Sequence, residues 1–150
     1  VTYRLRAESE SATRTALRTR ELFDVSDEPI ERGGTNEGFA PTEFVLSGLM
    51  ACTNVISNKI ARQNDFAIDR MNVECEAQFN RLGVNLLDEV AVVFPKIILT
   101  IEVFTDAPEE KINILKRDLK NYCAVSKLIR QSGSEIEEEW IVHRTGAGEV

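Results

Sequence analysis

Residues 33–63 read GGTNEGFAPTEFVLSGLMACTNVISNKIARQ, and they decide the fold. Pro41 suits the first turn of a helix, where no partner exists for an N–H and where its fixed φ is already helical. Glu43 follows where the positive end of the helix dipole favours a carboxylate. From Pro41 to about Gln63 nothing stronger than an isolated Gly48 opposes the helix. Val45, Leu49, Cys52, Ile56 and Ile60 recur at three- and four-residue spacing, while Phe44, Leu46, Met50, Ala51 and Val55 fill the other faces of the first half. A helix apolar nearly all round is expected to be buried. Ahead of it, Ser26 to Ala40 holds Pro29, Gly33, Gly34 and Gly38 and reads as a loop.

On the N-terminal side, Val1, Tyr3, Leu5 and Ala7 alternate with Thr2, Arg4, Arg6 and Glu8, the period of a half-buried strand. Ala12 to Thr19 and Glu21 to Val25 are shorter strand candidates. On the C-terminal side, Met71, Val73, Cys75, Ala77 and Phe79 alternate with polar neighbours in the clearest strand of the chain. Residues 81–92 read as a connection, and a second long strand runs from about Val93 to Phe104 with Ile97, Leu99, Ile101 and Val103 on one face. Pro108, Glu109 and Glu110 open a second helix with Ile112, Leu115, Leu119 and Tyr122 as its inward stripe. The pattern restarts at Cys123, Val125, Leu128 and Ile129, which implies a break near Cys123 and a short third helix ended by Gly133. Ile136, Trp140 and Val142 close a final strand. The order β-β-β-α-β-β-α-α-β predicts an α+β fold, with helices packed on mostly antiparallel sheet in a single domain over residues 1–150.

Composition sets limits on function. A chain of 150 residues, 43% apolar and 29% charged, holds one domain whose core requires neither disulfides nor a metal. With 25 acidic against 18 basic residues the net charge is −7, so binding to phosphate backbones or anionic lipid would rest on a local patch opposed by the protein's own field. No nucleic-acid partner is expected. Three cysteines, an odd number without short-range pairing, suit a reducing compartment and point to the cytoplasm. No signal peptide is visible at the start of the chain. The longest uncharged run, Phe44 to Asn58, has 15 residues and includes Ser47, Thr53, Asn54 and Ser57, which argues against a membrane span.

Cys52 lies mid-helix among apolar neighbours, where a thiol is ordinarily an inert core hydrophobe. Cys123 stands at the inferred start of a helix, where free N–H groups and the dipole favour a thiolate, although a buried residue beside a cap fits there equally well. Cys75 belongs to the apolar face of a strand and reads as core. Cys52, Cys75, Cys123 and His143 lack the close ligand pairs of a zinc site, so neither a metal nor a cofactor is expected. His143 has parity opposite to Trp140 and reads as a solvent-side residue, and Glu135, Glu137, Glu138 and Glu139 read as a solvated strand edge.

The run GGTNEGFAPTEFVLSGLMACT (33–53) followed by YCAVSKLI (122–129) resembles the OsmC/Ohr family, the osmotically inducible and organic hydroperoxide resistance proteins. Three features match together: a Gly-rich loop leading to Pro-x-Glu, a buried helix carrying Ala-Cys-Thr, and a later Cys-x-Val-Ser opening a short helix. The resemblance implies an OsmC-like fold with two long central helices, formed as an intertwined homodimer with both cysteines close together at the subunit interface. It also implies a thiol-dependent peroxidase: the residue matching Cys52 attacks an organic hydroperoxide, the one matching Cys123 resolves the sulfenic acid as a disulfide, and an external dithiol reduces it. For such a bond to close, the two Cα atoms must come within about 7 Å. The family activates its first cysteine with an arginine held by a glutamate. Glu43 stands one position beyond the family's glutamate, in whose place this chain has Thr42, and Arg14 is the nearest arginine candidate, with Arg18 and Arg20 behind it. Nine residues along an unbroken helix put Glu43 about 180° and about 13 Å from Cys52, out of reach within one chain but open to a partner's site. Two other functions fit the same residues: a small-molecule binding protein with redox-passive cysteines, and a thiol-disulfide sensor without turnover.

Overall fold

The computed structural model describes residues 1–146. In chain order its elements are β1 (Arg6–Ser9), β2 (Thr15–Thr19), β3 (Leu22–Ser26), α1 (Pro41–Gln63), β4 (Arg70–Ala77), β5 (Lys96–Phe104), α2 (Glu109–Tyr122), α3 (Ala124–Gln131) and β6 (Glu135–His143). A 3-10 turn, Ile30–Arg32, lies in the loop before α1. The predicted α+β order is therefore present, with three antiparallel strand pairs and one parallel pair. The chain forms two compact units that divide after Ser47.

In the first unit β1, β2 and β3 make an antiparallel sheet, with Ala7 opposite Leu17 and Thr15 opposite Ser26. The first strand differs from its expected form. It begins at Arg6 rather than Val1 and is exposed along its whole length, because Tyr3 and Leu5 lie on no core and remain 81% and 68% exposed. The loop that follows β3 is drawn tight against itself. A Cβ on Gly34 would lie 1.9 Å from the carbonyl oxygen of Glu28, and one on Gly38 would lie 2.0 Å from that of Val25, so neither position admits a side chain. The loop ends at a bridge between Ser26 and Phe39 and a ring contact of 5.6 Å between Phe39 and Phe44.

The helix α1 has its predicted limits. Burial, however, is confined to one stripe, Leu49, Thr53, Ser57, Ile60 and Ala61. The expectation that α1 is buried all round is corrected: Val45 and Val55 remain 47% and 49% exposed, and Met50 and Ile56 are half-buried. By length and composition α1 is apolar enough to cross a membrane, its best 18-residue window averaging 1.2 in hydropathy, although its uncharged run alone argued otherwise. The core helix of a soluble domain passes the same test, and the packed stripe of α1 carries polar Thr53 and Ser57.

The second unit has sheet order β4-β5-β6. β4 and β5 are antiparallel, with Cys75 opposite Leu99, while β6 runs parallel to β5 with Glu138 beside Leu99. A parallel neighbour demands a crossover, which α2 and α3 supply. Ile97, Leu99, Ile101 and Val103 are at most 1% exposed and form the centre of the core with Ile112, Leu115 and Leu119 of α2. Tyr122 and Leu128, expected on inward stripes, are both 68% exposed, since the break at Cys123 resets the helical phase between α2 and α3. The strand expected from Val93 begins at Lys96, just after Pro95, which has no N–H to give the ladder. Of the glutamates read as a solvated edge, Glu135 and Glu137 face outward and share Lys96 at 3.0 and 2.6 Å. Glu138 does not. It has the inward parity of Ile136 and Trp140, and burial raises its pKa against the pull of Arg130 and Lys120. His143 lies on the outward side, stacked on Phe104 at 4.5 Å with Nε2 3.8 Å from Glu102.

Candidate active site

The helix α1 carries Cys52 on a partly open face, outside the packed stripe. Cys123 occupies the single residue between α2 and α3. Its N–H donates to the Leu119 carbonyl at 2.9 Å and so ends α2, while its sulfur accepts the N–H of Ser126 at 3.5 Å and so caps α3. One extended residue, with φ −70° and ψ 108°, serves both helices. This double duty buries Cys123 completely. The cap and the start of α3 favour the thiolate as expected, but burial and the neighbouring Cys52 thiol outweigh them, and the Cys123 pKa is pushed up to about 11. Cys123 is thus a protonated thiol at neutral pH, beside the more accessible Cys52. Cys75 is also a free thiol, half-buried on the inward face of β4, with a pKa raised by burial alone.

The first unit builds a different arrangement around Arg14, in the turn before β2. The guanidinium donates through Nε to Glu10 at 3.0 Å and through Nη1 to Glu37, and both carboxylates raise its pKa. Glu37 is itself held: the Thr35 hydroxyl first, then Arg14, lower its pKa. Thr35 Oγ1 lies 2.9 Å from Glu37 and 2.5 Å from Asp27, so one proton bridges two carboxylates. Asp27 is fully buried. It accepts from the Thr13 hydroxyl at 2.9 Å and from the N–H groups of Glu28, Thr35 and Glu37 at 2.8, 3.1 and 3.3 Å. These bonds, led by that from Thr35, hold its pKa well below the usual carboxylate range despite burial.

Arg14 thus pairs with Glu10 and Glu37 and not with Glu43. Glu43 instead accepts the Ala40 N–H at 2.8 Å, closing the first turn of α1, and the helix has no break through Gln63 that would carry Glu43 toward Cys52. Arg18 stacks over Phe23 at 4.8 Å, and Arg20 sits in the β2–β3 turn with φ 52°. The supporting residues Asp27, Thr35 and Glu37 were missed in the sequence. Their only signal was polar side chains interleaved with the glycines of the 26–40 loop. Among the described residues no group of three or more His, Cys, Asp or Glu is placed to hold a metal ion.

The OsmC family model, described as OsmC-like protein, matches residues 34–139. The chain belongs to the OsmC family. Its OsmC-like fold is matched by an OsmC-like protein from Mycoplasma pneumoniae with a TM-score of 0.75 at 16% identity, over 97% of this chain and 99% of that one. An organic hydroperoxide resistance protein OsmC from Legionella pneumophila, described as a predicted redox protein, matches with a TM-score of 0.67 at 15% identity, covering 95% and 96% of the two chains. The organic hydroperoxide resistance protein OhrB of Bacillus subtilis matches at 0.59 and 19% identity, covering 95% and 98%. No curated protein sequence matches this OsmC family member.

Proposed function

We propose that the protein is a thiol-dependent peroxidase that reduces organic hydroperoxides through Cys52 and Cys123. The observation that carries this reading is the pairing of an accessible thiol, Cys52, with a buried and protonated one, Cys123. That division of labour suits the two steps. The Cys52 thiolate attacks the terminal peroxide oxygen, the O–O bond breaks, and the alkoxide leaves with a proton as the alcohol. Cys52 is then a sulfenic acid. The Cys123 sulfur attacks it, water departs with the Cys123 proton, and the disulfide forms before a second oxidation can occur. An external dithiol restores both thiols and leaves as its own disulfide. Arg14 is the activating cation in this proposal, with Glu37 as the carboxylate that orients it, and Glu43 anchors the start of α1.

An organic substrate is favoured by the apolar neighbours of Cys52 on α1, where Met50, Val55 and Ile56 offer contact to a hydrocarbon group. The same uncovered positions support an intertwined homodimer as the working form, since a helix face of this kind is normally covered. The solved OsmC-like structures that match at least 95% of the chain support residues 1–150 acting as one functional domain. Three unpaired cysteines support a reducing, cytoplasmic setting. The test is peroxide consumption by the full chain with cumene hydroperoxide and excess dithiothreitol. Cys52→Ser should abolish turnover and Arg14→Gln should slow it at least ~tenfold. Turnover that survives Cys52→Ser would overturn Cys52 as the attacking sulfur, and slow, equal oxidation of all three cysteines would instead support a binding protein of the same fold.

A further inference from the structure

The first unit carries a second cluster of arginines that the peroxidase reading leaves unused. Arg6 and Arg18 are direct cross-strand partners in the β1–β2 ladder, an arrangement that places like charges opposite one another and is destabilising when nothing compensates it. Arg4 and Arg20, just outside the two strands, line the same depression as Arg6 and Arg18. The carbonyl of Arg4 is fixed by the Thr19 hydroxyl at 3.2 Å. Arg20 is held at φ 52°, a left-handed conformation that few residues other than glycine adopt.

Ion pairing does not explain this concentration. In a protein of net charge −7, the described carboxylates pair with Arg14, Arg32, Lys96 and Arg117, and none with Arg4, Arg6, Arg18 or Arg20. Glu8, two residues along the same face, and Glu21, in the turn, are the nearest acidic residues in sequence, yet neither forms an ion pair among the described residues. Arg18 has one guanidinium face on the Phe23 ring, which orients the side chain and leaves its N–H edge to donate. Between the arginines lies a depression of about 630 Å³, with Tyr3 and Thr19 also on its wall.

We infer that the end of the β1–β2 hairpin is a binding site for a small anion bearing linked phosphoryl groups, held by Arg4, Arg6, Arg18 and Arg20. The fork of each guanidinium matches the spacing of phosphoryl oxygens, and a doubly charged group between Arg6 and Arg18 turns their repulsion into attraction. Tyr3 supplies an aromatic wall for whatever the phosphoryl groups carry. The site is independent of the cysteines, and so of the peroxidase reading.

Calorimetric titration of the full reduced chain with pyrophosphate, at low and at physiological ionic strength, tests the proposal. Wild type should bind, more weakly as salt rises, and Arg6→Gln with Arg18→Gln should weaken binding at least ~tenfold. Arg81→Gln, outside the cluster, should bind as wild type does. Citrate carries its three carboxylates apart on a carbon skeleton rather than as adjacent linked groups, and it should bind at least ~tenfold more weakly than pyrophosphate. A thermal melt keeps the comparison interpretable: pyrophosphate should raise the Tm of wild type and leave that of the double variant unchanged. No binding by wild type, or an equal loss in Arg81→Gln, would overturn the site. Equal affinity for citrate would overturn the phosphoryl assignment.

Discussion

Burial of Cys123 has a consequence that can be measured on the resting protein, before any peroxide is added. Alkylating reagents attack the thiolate. Raising the pKa from its ordinary 9.0 to about 11 lowers the thiolate fraction at pH 8 by about 100-fold. The complete burial of the side chain adds to that protection, since the reagent must also wait for the break between α2 and α3 to open. Labelling with iodoacetamide, quenched over time and read by peptide mass mapping, should therefore modify Cys123 at least ~100-fold more slowly than the same residue in urea. Cys52, on the open face of α1, should label first. If Cys123 in the folded chain labels within ~tenfold of its unfolded rate, it is neither buried nor protonated as described. The assignment of Cys52 as attacking sulfur and Cys123 as resolving sulfur would then have no physical basis.

The same shift links pH to stability. The folded chain holds the Cys123 proton more tightly than the unfolded one, so this contribution is complete below about pH 9 and is lost as pH rises toward 11. Denaturant melts of wild type against Cys123→Ser should show a steeper loss in wild type over that window, of up to about 2–3 kcal/mol. Gly34→Ala should destabilise the first unit by about 1–3 kcal/mol or more, because the new Cβ has only the Glu28 backbone to displace; a thermal melt unchanged from wild type would contradict the loop described here. Ser57 is buried on α1 with no hydrogen-bond partner for its hydroxyl among the described residues, so Ser57→Ala should leave stability unchanged or raise it by about 1 kcal/mol, read from urea midpoints.

Much of the fold was legible because local signals agreed. Pro41 and the lack of any helix breaker beyond Gly48 gave α1 its limits, strict alternation gave β4, and the restart of the helical pattern after Tyr122 located the break that makes Cys123 a cap. What the sequence left open were matters of phase and neighbourhood. Tyr122 obeys the periodicity of α2 and still points to solvent, because the helix ends there. Glu138 looks like its acidic neighbours, and only the parity of β6 turns it inward. Arg14 was recognisable as a candidate, but its carboxylate was not. Glu37 reaches it through a loop closed by Gly34 and Gly38 around a buried Asp27, a contact that depends on backbone path rather than on sequence spacing. The pairing of Cys52 with Cys123, 71 residues apart, came from family resemblance and from no periodicity.

Mass mapping of the non-reduced protein after a single equivalent of cumene hydroperoxide tests the account most directly. The account predicts one new species, a peptide pair cross-linked between Cys52 and Cys123, with Cys75 still free and with a trapped sulfenic acid at Cys52 when Cys123 is replaced by serine. Oxidation that begins at Cys123 or Cys75, or a Cys52 that goes directly to sulfinic acid in the wild-type chain, would contradict it.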